Sequence, residues 1–202
     1  MTAEATLELP RSGLIALCLL YILPGLIGRD PWKSEDASAF GAMWTMADGT
    51  GYGGIGDWLL PNVAGAPVLD SGPLMYWLGA LCMKLFGGLI GTALAGRIAT
   101  VIFFFMTVTG IWYATYLVNR RPAAQPARLA FGGHPEPRDY GRVLADGALL
   151  ILLATVGLLI RAHETSSDVA MLAMLAMSLY GMARSLDEPK TGAAWIAAAL
   201  VG

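Results

Sequence analysis

The chain has 202 residues, of which 56% are hydrophobic and 14% charged, with a formal net charge of −2 and a mean hydropathy of +0.59. A soluble domain ordinarily carries about 25% charged residues, so the composition points to an integral membrane protein and argues against a soluble domain with a large core. No basic tract of the kind that binds nucleic acid is present, and the two cysteines, Cys18 and Cys82, lie in apolar runs with neither disulfide nor metal-site spacing.

In chain order, the segment before Arg11 carries Glu4 and Glu8 and no basic residue, and Gly28-Arg29-Asp30 makes a poor cleavage site. The apolar run 12–28, with Pro24 near its end, therefore reads as a retained anchor and a first transmembrane helix. The long segment 29–97 follows. In it, Ser34 as N-cap, Glu35 and Asp36 in a first turn, and a stripe of Ala37, Phe40, Gly41, Trp44 and Ala47 predict a helix over 35–47 lying on lipid. Gly49 and Gly51-Tyr52-Gly53-Gly54 end it. A second interfacial helix is expected over 73–86, with Pro73 at its first position and Leu74, Trp77, Leu78, Leu81 and Leu85 on one face. It is shorter than the roughly 17–20 residues a crossing helix needs.

Further apolar runs predict a second span over 98–118, a third over 143–160, a short fourth over 169–183, and a fifth that begins at 193–202, where the chain stops inside an apolar run. Segment 119–142 is rich in Pro, Gly and Arg and is expected to be irregular. Asp146, near the start of the third span, is expected to be a helix N-terminal charge in contact with water. The whole is an all-α membrane protein with about five transmembrane helices and two juxtamembrane helices between the first and second.

Charge bias sets the orientation. Arg120, Arg121, Arg128, Arg138 and Arg142 follow the second span, and Arg184 and Lys190 follow the fourth. The positive-inside rule places both groups, and with them the N-terminus, in the cytoplasm. Segments 29–97 and 161–168 then lie outside. Were 73–86 to cross, the five arginines would move outside, against the rule.

Both outer segments are rich in ionisable groups. Glu35 and Asp36 are either helix-capping charges or a general base that takes a proton from an acceptor hydroxyl at the interface. Asp70 and Asp168 are further acids on the same side, and together these groups can position a substrate or a divalent cation, although no ligand pattern identifies a metal. Arg97, Lys84 and Arg161 are snorkelling anchors or clamps on a lipid phosphate. His163 reads as an interfacial polar residue. Tyr76, Trp77, Trp112 and Tyr113 fit the aromatic belts of any membrane protein.

Four features recur in one order: Trp32-Lys33-Ser34-Glu35-Asp36 after the first span; Asp70-Ser71-Gly72-Pro73-Leu74-Met75-Tyr76-Trp77-Leu78; Lys84-Leu85-Phe86-Gly87 followed by Arg97; and Asp168 after the third span. In that order and spacing, residues 12–185 resemble the N-terminal part of the polyprenyl-phosphate-sugar-dependent glycosyltransferases of the GT-C fold. That group contains bacterial aminoarabinose transferase and the protein O-mannosyltransferases. The resemblance implies that the family's catalytic carboxylate falls on Asp36 if residue type is the ruler, the preferred match, or on Glu35 if Trp32 is. It implies that Asp70 stands for the acid before the family's double proline. Ser71 stands where the family has a lysine on the lipid phosphate, so Arg97 or Lys84 would take that contact.

The activity implied is an inverting transfer of a sugar from a polyprenyl-phosphate donor to a lipid or protein hydroxyl, at the periplasmic face of a bacterial inner membrane. Basic residues or a divalent cation would offset the charge on the leaving phosphate. The competing reading is non-catalytic: a transporter fragment, an assembly scaffold or a degenerate truncated paralogue. Transporters place ionisable groups at mid-membrane on broken helices. Here the acids sit at the interface, and Pro24 is the one hint toward a broken helix.

Overall fold

A computed structural model describes residues 9–31, 33–69, 72–126 and 136–201. Asp70, Ser71, Trp32 and Arg128 lie outside these residues. The described chain is all-α with one two-residue hairpin: α1 (Arg11–Ile22), a 3-10 turn (Leu23–Gly25), α2 (Ser34–Asp48), α3 (Ile55–Leu59), β1 (Asn62–Val63), β2 (Ala66–Pro67), α4 (Leu74–Ile90), α5 (Thr92–Asn119), a 3-10 turn (Pro122–Ala124), α6 (Pro137–Ala154), α7 (Val156–Arg161), α8 (Ser167–Ser185) and α9 (Pro189–Val201). It divides into two compact units. One comprises Ile22–Phe105 and Gly157–Ala173; the other comprises the chain up to Tyr21, Met106–Val156 and Met174–Val201.

In the first unit, α2 starts one residue earlier than its sequence indicates. Lys33 is the extended N-cap (φ −79°, ψ 152°), and Ser34 is already helical and makes no side-chain cap. The helix stops at Gly49, whose φ of 72° suits glycine and whose N–H reaches Thr45 O at 2.8 Å. Its buried face is Ala39, Ala42, Met43 and Met46, whereas Trp44, in the stripe expected on lipid, is exposed. α4 packs on this face through Gly79, where a Cβ would fall 2.2 Å from Met43 Sδ. α4 runs past the expected 73–86 to Ile90, and Pro73 is its N-cap, accepting the Trp77 N–H at 2.9 Å. Trp77, Leu81, Leu85, Phe86 and Leu89 are left exposed, an apolar face suited to lipid.

The glycine-rich loop is tied by one carboxylate. Asp57, fully buried, accepts the N–H of Tyr52 at 2.6 Å, that of Gly53 at 3.1 Å and the Asn62 amide at 2.9 Å. Asn62 heads a hairpin whose antiparallel register pairs Asn62 with Pro67, turning through Ala64 and Gly65, both at positive φ. The Asn62 amide, more than any other group, holds Asp57 below the ordinary carboxylate range; burial opposes this and the loop N–H groups add to it. A depressed folded-state pKa contributes stability above the unfolded value of about 3.9 and loses it as pH falls through the folded value. Loosening of this loop is therefore expected only in strong acid, below pH ~3.9, and in Asn62→Ala its onset should move to higher pH, as read by amide hydrogen exchange at Tyr52 and Gly53. A wild-type onset near neutrality would sink this account. Gly51 packs inside the knot, where a Cβ would lie 2.1 Å from Asn62 Oδ1 and 2.4 Å from Asp57 Oδ1. Gly51→Ala should cost roughly 1–3 kcal/mol by overpacking, measured as a drop in thermal unfolding in detergent; an unchanged midpoint would show that the loop yields freely.

In the second unit small residues bring backbones together. A Cβ on Gly110 would lie 2.9 Å from the Ala176 carbonyl, one on Gly181 2.9 Å from Ile196 N, and one on Gly141 3.0 Å from Arg120 N. Trp112 stacks on Tyr116 with centroids 5.3 Å apart, and its indole donates to Asp146 at 2.8 Å. Asp146 is 4% exposed. Because α6 begins at Pro137, Asp146 lies well inside the helix, so the water-contacting N-terminal charge expected from sequence is instead a buried acceptor.

The expected span 143–160 is broken. Thr155 is extended (ψ 111°), its hydroxyl donates to Ile151 O at 3.0 Å, and its N–H turns back to Leu152 O. A hydroxyl that satisfies the preceding carbonyl gives the backbone an alternative to the next helical turn. Among the described residues, α5 is the one helix long and apolar enough to cross a membrane, with 28 residues and a best 18-residue stretch of mean hydropathy 1.8. At ~1.5 Å per residue it is roughly 42 Å long, more than the hydrocarbon core of about 30 Å. The apolar stretch Arg11–Gly25 and helix α4 fall short of that length. Helix geometry thus supports one span where hydropathy alone implied five.

Candidate active site at the start of α2

Consecutive residues on a helix point about 100° apart, so the two acids at the start of α2 have different fates. Asp36 turns inward and is fully buried. Its Oδ1 accepts the Thr165 N–H at 2.9 Å and its Oδ2 faces Arg97 Nη2 at 3.3 Å. Arg97, 3% exposed, also donates from Nη1 to Leu26 O at 3.3 Å. This buried pair ties α2, the first turns of α5, the turn before α8 and the chain leaving the first 3-10 turn.

Glu35 turns outward. Its Oε2 accepts Arg161 Nη1 at 2.8 Å. The same guanidinium lies 3.1 Å from Asp168 Oδ2 and 3.7 Å from Glu164 Oε2. Glu164, whose side chain is 5% exposed, also pairs with the Lys33 ammonium. The Glu35 hydrogen bond and then the Asp168 charge raise the pKa of Arg161, so it is a permanent cation. Three carboxylates and two cations are thus linked through Arg161 and Glu164, with Glu35, Asp168 and Arg161 open to solvent, and Asp36–Arg97 forms a separate buried pair in the same unit.

Two clefts meet at Glu35. One, of about 350 Å³, is lined by Ser34, Glu35, Ser38, Tyr76, Ser166, Ser167 and Asp168, with Ala39 and Val68. The other, of about 550 Å³, is lined by Lys33, Ser34, Glu35, Arg161 and Glu164 with Gly157 and Ile160. The first offers hydroxyls and acids; the second offers two cations beside apolar surface.

Of the residues the sequence singles out, Glu35, Asp36, Asp168, Arg97 and Arg161 come together. Arg97 spends its terminal nitrogens on Asp36 and a carbonyl rather than turning to a lipid phosphate. Lys84 lines neither cleft; its ammonium sits over the Trp58 ring, 5.7 Å from the centroid. Asp70 lies outside the described residues. His163 packs its ring on Gly25 and places Nδ1 2.6 Å from Leu159 O, a structural position. Lys33 and Glu164 join the cluster with no sequence signal beyond lying in the charged stretches around Glu35 and Asp168. Among the described residues no three His, Cys, Asp or Glu side chains are arranged to hold a metal ion, and each carboxylate of the cluster faces a cation instead, an arrangement that does not fit a divalent cation. Compared with family models, with curated proteins and with solved structures, the chain matches none.

Proposed function

We propose that this protein transfers a sugar from a polyprenyl-phosphate donor to a hydroxyl acceptor at the outer face of a membrane. The observation that carries the reading is Glu35, an exposed carboxylate on the ridge shared by a hydroxyl-lined cleft and a cleft with two cations and apolar walls. The sugar and acceptor occupy the first, where serine hydroxyls and Asp168 hydrogen-bond them. The donor's phosphate occupies the second, facing Arg161 and Lys33, with its lipid along Gly157 and Ile160. Glu35 takes the proton of the acceptor hydroxyl, whose oxygen attacks the anomeric carbon. The bond from that carbon to the phosphate oxygen breaks with inversion, and polyprenyl phosphate leaves with its added charge beside Arg161. Asp36 acts through position, holding the first turn of α2 on Arg97. In this reading α5 crosses the bilayer of a bacterial inner membrane. The arginines after α5 are then cytoplasmic.

One observation favours a non-catalytic scaffold: each charge in the cluster already has a partner. Structural ion-pair networks have that property too. Transfer of labelled sugar from polyprenyl-phosphate donors, in membranes carrying the protein in its longest reading frame, separates the two. Acceptor labelling that requires the protein supports the enzyme; none across several donors supports the scaffold.

A further inference from the structure

A second charged cleft lies in the other unit, at the end of α5. It encloses about 480 Å³ and is lined by Tyr116, Arg120, Arg121, Pro122, Glu136, Pro137, Arg138 and Asp187. Asp187 bridges two guanidiniums, with Oδ2 2.9 Å from Arg120 Nη2 and Oδ1 2.5 Å from Arg121 Nη2. Arg120 lies over the Tyr116 ring at 5.6 Å. Gly141 lets α6 press its backbone onto Arg120 and Tyr116, and Arg138, three residues earlier on α6, lies on the same face. The Gln125 amide donates to Asn119 O at 2.8 Å and Arg121 O at 3.0 Å, closing the end of α5. The cleft is therefore built, not an accident of a loose tail.

Its donors are only partly used. A guanidinium has five N–H donors. Arg121 Nε is buried without a hydrogen-bond partner, and Arg138 is exposed and makes no ion pair with the described residues. Asp187 is held below the ordinary carboxylate range, first by its hydrogen bond to Arg120 and, after the opposing effect of burial, by the charges of Arg121, Arg120 and Arg184. The cleft thus prefers an anion between Arg120 and Arg121, and the chain supplies one of its own.

We infer that this cleft binds the phosphate of an anionic phospholipid head group, which displaces Asp187 from Arg120 and Arg121 and is gripped from the third side by Arg138. The lipid source follows from position: the arginines follow directly on the helix that is long and apolar enough to cross a bilayer, where a head-group phosphate sits. Guanidinium forks match phosphate oxygens, and basic pockets at helix ends are suited to anionic head groups. The inference uses the membrane reading of α5 and not the sugar-transfer reading.

The test is thermal unfolding of the full-length protein in detergent, titrated with dioleoylphosphatidylglycerol, dioleoylphosphatidylcholine or inorganic phosphate. Saturable stabilisation by phosphatidylglycerol alone is expected. Arg138→Gln, which breaks no ion pair seen in the fold, should weaken it about fivefold, the worth of one arginine near an anionic surface. Asp187→Asn, which removes the internal competitor, should tighten it. Equal stabilisation by phosphatidylcholine, or an unchanged midpoint concentration in Arg138→Gln, would overturn the site. An equal effect of inorganic phosphate would overturn the lipid assignment, and weaker binding by folded Asp187→Asn would overturn the displacement.

Discussion

Replacing Arg97 with methionine is expected to destabilise the protein by about 3–5 kcal/mol, the usual consequence of removing one partner of a buried ion pair. Asp36 would stay fully buried with the Thr165 N–H as its remaining donor. Its charge would lie in a low-dielectric interior without a counter-ion, and that penalty, rather than the pair's intrinsic worth, sets the size of the effect. The double replacement Arg97→Met with Asp36→Leu should recover much of the loss, because two apolar groups of similar volume need no compensation. Arg97→Lys keeps the charge and gives up the fork that reaches both Asp36 and Leu26 O, so it should fall between. Thermal or chemical unfolding of the purified protein in detergent reads all three. An Arg97→Met protein with wild-type stability would mean that Asp36 finds water once the arginine is gone.

Glu35→Gln should lower sugar transfer about 10²–10⁴-fold, the contribution of a positioned general base, while leaving the unfolding temperature nearly unchanged. Its pair with Arg161 is solvent-exposed on both sides, and exposed pairs are worth only about 0–1 kcal/mol. Asp36→Asn should behave differently, losing transfer and folded protein together. The contrast is the informative result. Transfer retained in Glu35→Gln but lost in an Asp36→Asn protein that folds normally would move the base to Asp36. Transfer retained in both would leave the proposed mechanism without its base.

Much of the local structure can be read along the chain. The glycines after Asp48 stop α2, the acids at 35 and 36 mark its first turn, and the apolar spacing after Pro73 makes a helix. These depend on neighbours within a few residues, so periodicity and capping chemistry report them. The boundaries slip where the chain has competing local options: Lys33 caps instead of Ser34, and α4 runs on through Gly87 and Gly88. The break at Thr155 escapes a hydropathy reading because an apolar run with one hydroxyl has the same average whether or not that hydroxyl turns back on Ile151 O. Asp146 escapes it for a related reason, since its indole partner is 34 residues away.

The sites divide in the same way. Composition and order mark out two acidic segments as the place for chemistry, and Glu35, Asp36, Asp168, Arg97 and Arg161 do converge. Which of two adjacent acids meets water is a matter of what packs on each side of α2. Asp36 is buried because Arg97, 61 residues on, and the Thr165 N–H, 129 residues on, close over it. Arg97 for the same reason faces inward rather than toward a lipid. The chain thus carries its helices, its turn chemistry and its membrane-like composition in short-range pattern. The roles of its charges come from long-range packing, because burial and counter-ions, which set what a carboxylate or guanidinium can do, are supplied by residues far away in the chain.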